Sequence, residues 1–215
     1  MNYGNLFIIT APSGTGKSSL IKALLNSDSS ISISISHTTR KPRSSEKNGQ
    51  EYHFITIDEF KKMCNDNVFL EHAEVHGNFY GTSKYFIDKK LETGQDVITE
   101  IDWQGSQQIK LQYPDSIRIF ILPPSFEEIR KRMIQRAQDT QETINKRLLA
   151  AYKEVKYAKD CEYLVINKDF DKALSDLRHI IKATKLRYKT QAIKNLELFT
   201  KLGVTNNDIN DSIYK

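Results

Sequence analysis

The stretch Leu6-Phe7-Ile8-Ile9-Thr10-Ala11-Pro12-Ser13-Gly14-Thr15-Gly16-Lys17-Ser18-Ser19 decides how this chain is read. Its first four residues are a continuous apolar run, the pattern of a strand buried on both faces of a parallel sheet. Past the small-residue loop, Leu20, Ile21, Leu24 and Leu25 recur at helical spacing. Strand, glycine loop and helix in that order open an α/β unit. Gly14, Gly16, Lys17 and Ser18 match the end of the pattern G-x-x-x-x-G-K-[ST]. Small residues there let successive backbone N–H groups turn inward around a phosphate, and the helix N-terminus adds a favourable field. Lys17 is suited to reach β- and γ-phosphates, and the Ser18 hydroxyl to ligate Mg2+. Ala11 stands where the pattern usually has its first glycine, which is acceptable provided its φ is negative. The plain alternative is a Gly/Ser-rich link between two elements; both flanking elements are predicted independently, which favours phosphate. The loop alone leaves the reaction open, since it serves ATPases, GTPases and small-molecule kinases alike.

Outward from the loop, Ile31, Ile33 and Ile35 alternate with serines, a period of two that indicates a half-exposed strand. From about residue 37 to 89 the pattern changes to short stretches broken by polar turns, read as a small inserted subdomain. Thr56-Ile57-Asp58-Glu59 has the form of a capping box, so a short helix is expected to about residue 65. Another helix over about 83–93 should stop at Gly94. The α/β rhythm then resumes, with strands expected at 97–101, 117–122 and 164–166. Helices are expected at 105–113, 126–136 and 143–159, and a long basic helix from Leu174 onward.

The 215 residues carry 32 Lys and Arg against 27 Asp and Glu, a net charge of +5. The segment from Arg178 to Lys201 alone holds seven basic residues and one acid, so the rest of the chain is close to neutral. That balance gives weak support for nucleic acid, which is not expected as a partner. Apolar positions Ile180, Ile181, Leu186, Ile193, Leu196 and Leu198 suggest that the basic helix packs on the core or on a partner chain, so a homo-oligomer contact is a hypothesis. Cys64 and Cys161 have no Cys or His at ligand spacing and read as free thiols of a reducing compartment. No apolar run is long enough to span a membrane, and no basic region precedes Leu6, so a cytoplasmic protein without membrane contact is expected.

The second informative stretch runs from Thr38 to Phe54, with Arg40, Arg43 and Glu46 followed by Gly49 and Tyr52. Two arginines three apart offer forked donors to a phosphomonoester, and a tyrosine hydroxyl adds a neutral one. Glu46 is suited to orient an arginine by an ion pair. Taken alone, a solvated charged hairpin loop fits as well.

The spacing T-[ST]-R-x2-[KR]-x2-E-x2-G-x2-Y-x-F over Thr38–Phe54 resembles the signature of guanylate kinases. Phe79-Tyr80-Gly81-Thr82, Glu100-Ile101-Asp102-Trp103-Gln104-Gly105, Pro123-Pro124-Ser125, Arg132 with Arg136, and Ile144-Asn145-Lys146-Arg147-Leu148 extend the similarity, in order, across about residues 4–190. The resemblance implies transfer of the γ-phosphoryl group of ATP to GMP, and also to dGMP, with Mg2+. It implies an α/β fold: a P-loop parallel-sheet core flanked by helices (1–36 and 90–205), an inserted α+β GMP-binding subdomain (37–89), a helical lid (about 132–147) and a tail (206–215). Carried over, it implies that Arg40, Arg43, Tyr52 and Tyr80 hold the GMP phosphate, that Ser36, Glu71, Thr82 and Asp102 contact guanine, and that Gly81 belongs to the same site. It places ATP on residues 11–19 together with Arg132, Arg136 and Asn167, the last touching adenine or ribose. Lys17, Arg40, Arg132, Arg136 and Arg147 would then surround the transferred phosphoryl group, and Ser18 and Asp102 would be the metal candidates.

Chemistry supports the guanine assignment independently. Guanine presents N1–H and N2–H2 donors, and carboxylates only accept. Adenine has an unprotonated N1 there, so an ionised Glu71 would face a lone pair. Two departures stand out. The family usually has Asp-x-Asp where this chain has Glu100-Ile101-Asp102, which favours Asp102 over Glu100 and leaves metal and guanine roles unseparated. It also usually has Arg-Gly where this chain has Arg136-Ala137. Without the resemblance, three arginines on helices read as solvated charge. The competing functions are a catalytically silent guanylate-kinase-like interaction module, which typically lacks an intact phosphate loop, and a kinase for another nucleoside monophosphate.

Overall fold

The computed structural model describes residues 3–44, 46–75, 77–135 and 140–204. The chain begins with β1 (Leu6–Thr10), α1 (Lys17–Ser27) and β2 (Ile31–Ser34). There follow β3 (His37–Thr38), β4 (His53–Phe54), α2 (Ile57–Asn65), β5 (Phe69–Val75), β6 (Asn78–Ser83) and α3 (Lys84–Glu92). Next come β7 (Asp96–Glu100), α4 (Trp103–Gln112), β8 (Ile117–Leu122), α5 (Phe126–Gln135) and α6 (Gln141–Glu154), which runs into a 3-10 turn (Val155–Asp160). The last elements are β9 (Tyr163–Ile166), α7 (Phe170–Lys185), α8 (Tyr188–Lys194) and α9 (Leu196–Lys201).

Five strands form an all-parallel sheet in the order β2-β7-β1-β8-β9, with β1 at its centre. Because alternate residues of a strand face opposite ways, β1 serves two cores. Phe7 and Ile9 pack with α1 residues Leu20, Ile21 and Leu24 and α7 residues Leu177 and Ile181. Leu6 and Ile8 pack on the other face with Ile87 and Leu91 of α3 and Ile109 of α4. The chain leaves β1 between β7 and β8, where the strand order reverses and where open α/β sheets bind ligands.

A four-stranded sheet, β4-β3-β6-β5, is the inserted element, and β5 and β6 form its antiparallel hairpin. Helix α2 starts with the expected capping box: Glu59 N donates to Thr56 Oγ1 at 3.2 Å and Thr56 N to Glu59 Oε2 at 2.8 Å. Helices α5 and α6 bury a separate small core of Ile129, Met133, Ile144 and Ala151.

Three features differ from the sequence expectation. The insert drawn to residue 89 takes in two thirds of α3, yet Ile87 and Leu91 belong to the core of the large sheet. The alternation of β2 is incomplete, since Ser34 is buried and Ile33 only half-buried. The single basic helix is three, α7 to α9. No Pro or Gly breaks it. Instead Gln191 Nε2 donates to Lys185 O at 2.7 Å and Asn195 Nδ2 to Gln191 O at 3.0 Å, side chains that compete for helix carbonyls at the two breaks. The basic charge there is partly taken up: Lys185 pairs with Asp28 and Asp96, and Lys189 with Asp115. Cys64 and Cys161 are both free. Among the described residues no helix is long and apolar enough to cross a membrane.

Candidate active site

The loop after β1 has the shape a phosphate cradle needs. Gly14 and Gly16 adopt φ of 84° and 90°, the left-handed region that suits glycine. Ala11 is not among the positive-φ residues, which satisfies the condition set for it. The loop is braced from behind. Arg132 Nη1 and Asn167 Nδ2 both donate to Thr15 O, at 3.0 and 2.7 Å, and Arg132 Nη2 donates to Asn167 O at 3.2 Å. Glu128, one turn earlier on α5, holds Arg132 Nε at 2.9 Å. Asn167 is buried, and its backbone N–H extends the β9 pairing by donating to Leu122 O at 2.8 Å. In front of the loop, Ser18 Oγ donates to Glu100 Oε1 at 2.5 Å, and Lys17 Nζ lies 3.3 Å from Ile101 O and 3.9 Å from Glu100 Oε1. The register explains Glu100: it pairs with Ile9, so the last residue of β7 stands beside the mouth of the loop.

Across the cleft, Glu46 ties two arginines together. Its Oε1 accepts from Arg40 Nη2 at 2.8 Å and lies 3.7 Å from Arg43 Nη1, while its Oε2 accepts from Arg43 N at 2.7 Å. Burial opposes both charges, but the ion pair prevails: the Arg40 pKa is raised and that of Glu46 lowered. The Arg40 guanidinium also lies over the Tyr52 ring at 5.4 Å, and Tyr52 meets Tyr80 edge-on at 5.7 Å. Burial raises the Tyr52 pKa, with the Glu100 and Tyr80 charges adding to it, so its hydroxyl stays a neutral donor.

Between these ends sits Glu71, 3% exposed. Strand β5 is irregular there: the register shifts between Phe69 and Glu71, and Leu70 and Glu71 are both buried instead of alternating. A bulge re-aims side chains. Here Leu70 enters the large-sheet core while Glu71 lines the cleft. Thr82 Oγ1 donates to Glu71 Oε1 at 2.5 Å, and the Ser36 and Thr82 hydroxyls are 3.0 Å apart. Burial pushes the Glu71 pKa up to about 7, the Thr82 hydrogen bond works against this and the Asp102 charge adds to it. Asp102 caps α4, its Oδ1 accepting from Gly105 N at 2.9 Å.

One cleft of about 780 Å³ joins all of this. Its lining runs from residues 10–18 past Glu100, Ile101 and Asp102 to Glu71, Ser36, Tyr80, Tyr52, Arg40 and Arg43. Arg147 and Glu154 of α6 and Trp103 complete the wall. The Trp103 ring lies flat on Tyr157, with centroids 3.7 Å apart and planes 5° apart, so the end of the α5–α6 arm is seated on the cleft floor.

The guanylate kinase family model matches residues 3–184 of this chain. The chain belongs to the guanylate kinase family. Curated guanylate kinases of Paraburkholderia xenovorans (strain LB400) and Bordetella pertussis (strain Tohama I) are each 50% identical over 201 residues. That is 94% of this chain, and 89% and 94% of theirs. The crystal structure of guanylate kinase from Anaplasma phagocytophilum is similar with a TM-score of 0.74 at 29% identity, covering 87% of this chain and 89% of that one.

Within this guanylate kinase the expected residues fall into three groups. Residues 11–18, Ser36, Arg40, Arg43, Tyr52, Glu71, Tyr80, Asp102 and Arg147 line the cleft. Thr82, Arg132 and Asn167 stand behind lining residues and hold them. Ser19 is exposed on α1, Gly81 packs under the Phe69 ring, and Arg136 lies outside the described residues. Two placements depart from the expectation. The carboxylate beside Ser18 is that of Glu100, while both Asp102 oxygens accept hydrogen bonds at the start of α4, from Gly105 N and Gln104 Nε2. The Asn167 amide faces the loop backbone rather than open space. Glu154 was not foreseen; it ends α6 with no local motif, and only the fold brings it near Lys17 and Asp102.

Proposed function

We propose that the two ends of the cleft divide the reaction this guanylate kinase carries out, transfer of the γ-phosphoryl group of ATP to GMP to give ADP and GDP. The observation that carries the assignment is a single cleft with a glycine phosphate loop at one end, a Glu46-tethered arginine pair at the other, and a buried carboxylate between. Arg40, Arg43, Tyr52 and Tyr80 receive the GMP phosphate. Glu71, held by Thr82 and backed by Ser36, accepts the guanine N–H groups, with Asp102 beside it. Residues 11–18 wrap the triphosphate, and Lys17 leaves Ile101 O for the β- and γ-oxygens. Arg147 faces the transferred group from α6.

No general base is needed, because the GMP phosphate oxygen is already an anionic nucleophile and positioning dominates. Mg2+, which would travel with ATP, fits the donor set at the loop: the Ser18 hydroxyl and the Glu100 carboxylate, both hard oxygen donors, meet there. When bound it would neutralise charge building up on the phosphate oxygens. Two free thiols and nucleotide substrates suit the cytoplasm. Leu186, Leu198 and Leu202, each more than half exposed, mark where a contact between copies would form, which sedimentation tests.

A coupled assay with GMP, dGMP, AMP, UMP and TMP as acceptors tests the reading: turnover is expected with GMP and dGMP only. Lys17→Ala is expected to lower kcat by about a thousandfold or more while calorimetric GMP affinity stays within about threefold. GMP affinity collapsing with activity would contradict the division of the cleft, and no uptake of GMP by the wild type would end it.

A further inference from the structure

The Glu71 carboxylate is pressed against the first turn of α4. A methyl group built on Gly105 would sit 2.4 Å from Glu71 Oε2 and 2.8 Å from its Cδ, far inside van der Waals contact. Gly105 has no positive φ, so its backbone does not ask for glycine. Glycine is also the poorest helix former after proline, and this position lies within α4. What the position needs is the missing Cβ. The same residue touches the other acid of the base site, since Gly105 N donates to Asp102 Oδ1 at 2.9 Å. Glu71 cannot retreat freely: it is buried, and its other oxygen is bonded to Thr82 Oγ1, itself buried.

We infer that Gly105 is a specificity-determining positioning residue: its N–H fixes the Asp102 carboxylate and its bare α-carbon admits that of Glu71, so one residue spaces the two acceptors that face the purine. The inference rests on the reading of Glu71 as the guanine acceptor. A side chain at 105 would push Glu71 out of register with the base while leaving the phosphate loop and the arginine pair as they are. The consequence is a loss confined to the acceptor half of the cleft.

The test compares Gly105→Ala, Glu71→Gln, Glu71→Asp and Gly105→Ala/Glu71→Asp by steady-state kinetics, with thermal melting as a check on folding. Gly105→Ala is expected to raise KM for GMP about ten- to a hundredfold, the loss of a charge-assisted hydrogen bond, with KM for ATP within about twofold and kcat at saturation within about threefold. Aspartate is one methylene shorter and withdraws from the added methyl. In the Glu71→Asp background the alanine is therefore expected to add nothing further. An unchanged KM for GMP in folded Gly105→Ala, equal rises in both KM values, or failure to fold in both backgrounds overturns the inference. Should Glu71→Gln leave GMP untouched, the guanine reading itself falls; should it raise KM while Gly105→Ala does not, only the role of Gly105 falls.

Discussion

As the proposed guanine acceptor, Glu71 would work from a dry site, and that sets its expected pH behaviour. Burial, reinforced by Asp102 and opposed by the Thr82 hydrogen bond, raises its pKa from 4.5 to about 7. Only the ionised form can accept both guanine donors. The expected outcome is a kcat/KM for GMP that climbs about tenfold per pH unit up to about pH 7 and then levels, while KM for ATP stays flat. Stopped assays across pH 5–9 measure it. Ionisation of the GMP phosphate, near pH 6, steepens the acid limb; Glu71→Gln should remove the component near 7 and keep that one. For stability the sign is opposite. A raised folded pKa means that stability is fully present below about 4.5 and is lost as pH rises through about 7. The resemblance could name Glu71, but not its burial, because the bulge that leaves Leu70 and Glu71 both buried has no trace in the alternation.

At the scale of elements, α5 and the end of β9 meet on one carbonyl. Thr15 O accepts from both Arg132 and Asn167, so two remote segments fix the curvature of the phosphate loop. Removing one donor from a buried pair costs about 1 kcal/mol or more. Asn167→Ala is therefore expected to raise KM for ATP about tenfold and leave KM for GMP within about twofold; initial rates with each substrate varied in turn decide it. Much of the element level was readable in advance. Strand β8 spans its apolar run and helix α2 starts at its capping box, as expected, because those signals are local. The roles of Arg132, Asn167 and Glu100 were not. Each depends on the order of the strands around β1, and neighbours in a parallel sheet are separated by long crossovers that spacing cannot measure.

At the scale of the whole molecule, the large sheet has two mainly aliphatic cores and the small sheet an aromatic cluster. His37 and His53 stack at 4.7 Å, and Phe69 and Phe60 continue the cluster at 5.5 and 4.7 Å. Nδ1 of His37 is buried without a hydrogen-bond partner. Burial and the neighbouring His53 charge lower the His37 pKa from 6.5 to about 4. The unfolded chain takes up that proton before the folded one does, so this stability is held above about 6.5 and lost as pH falls towards 4. Hydrogen exchange at pH 7 and 5, corrected for intrinsic rates, is expected to show protection falling in β3–β6 and holding in β1, β7 and β8. His37→Phe should flatten the difference. The overall architecture followed from the first nineteen residues and the resemblance, whereas the split of the basic helix into α7, α8 and α9 did not, since Gln191 and Asn195 act there through short-range side-chain bonds to helix carbonyls rather than through Pro or Gly.

Trp103 is the chain's single tryptophan, and it lies face to face with Tyr157 under the arm that bears Arg147 and Glu154. Ultraviolet emission excited at the red edge therefore comes from one address in the molecule, where arm and cleft floor touch. The protein thus carries a built-in lamp beside its cleft, so any change there on adding nucleotides can be watched in real time on the unaltered polypeptide, with no dye attached.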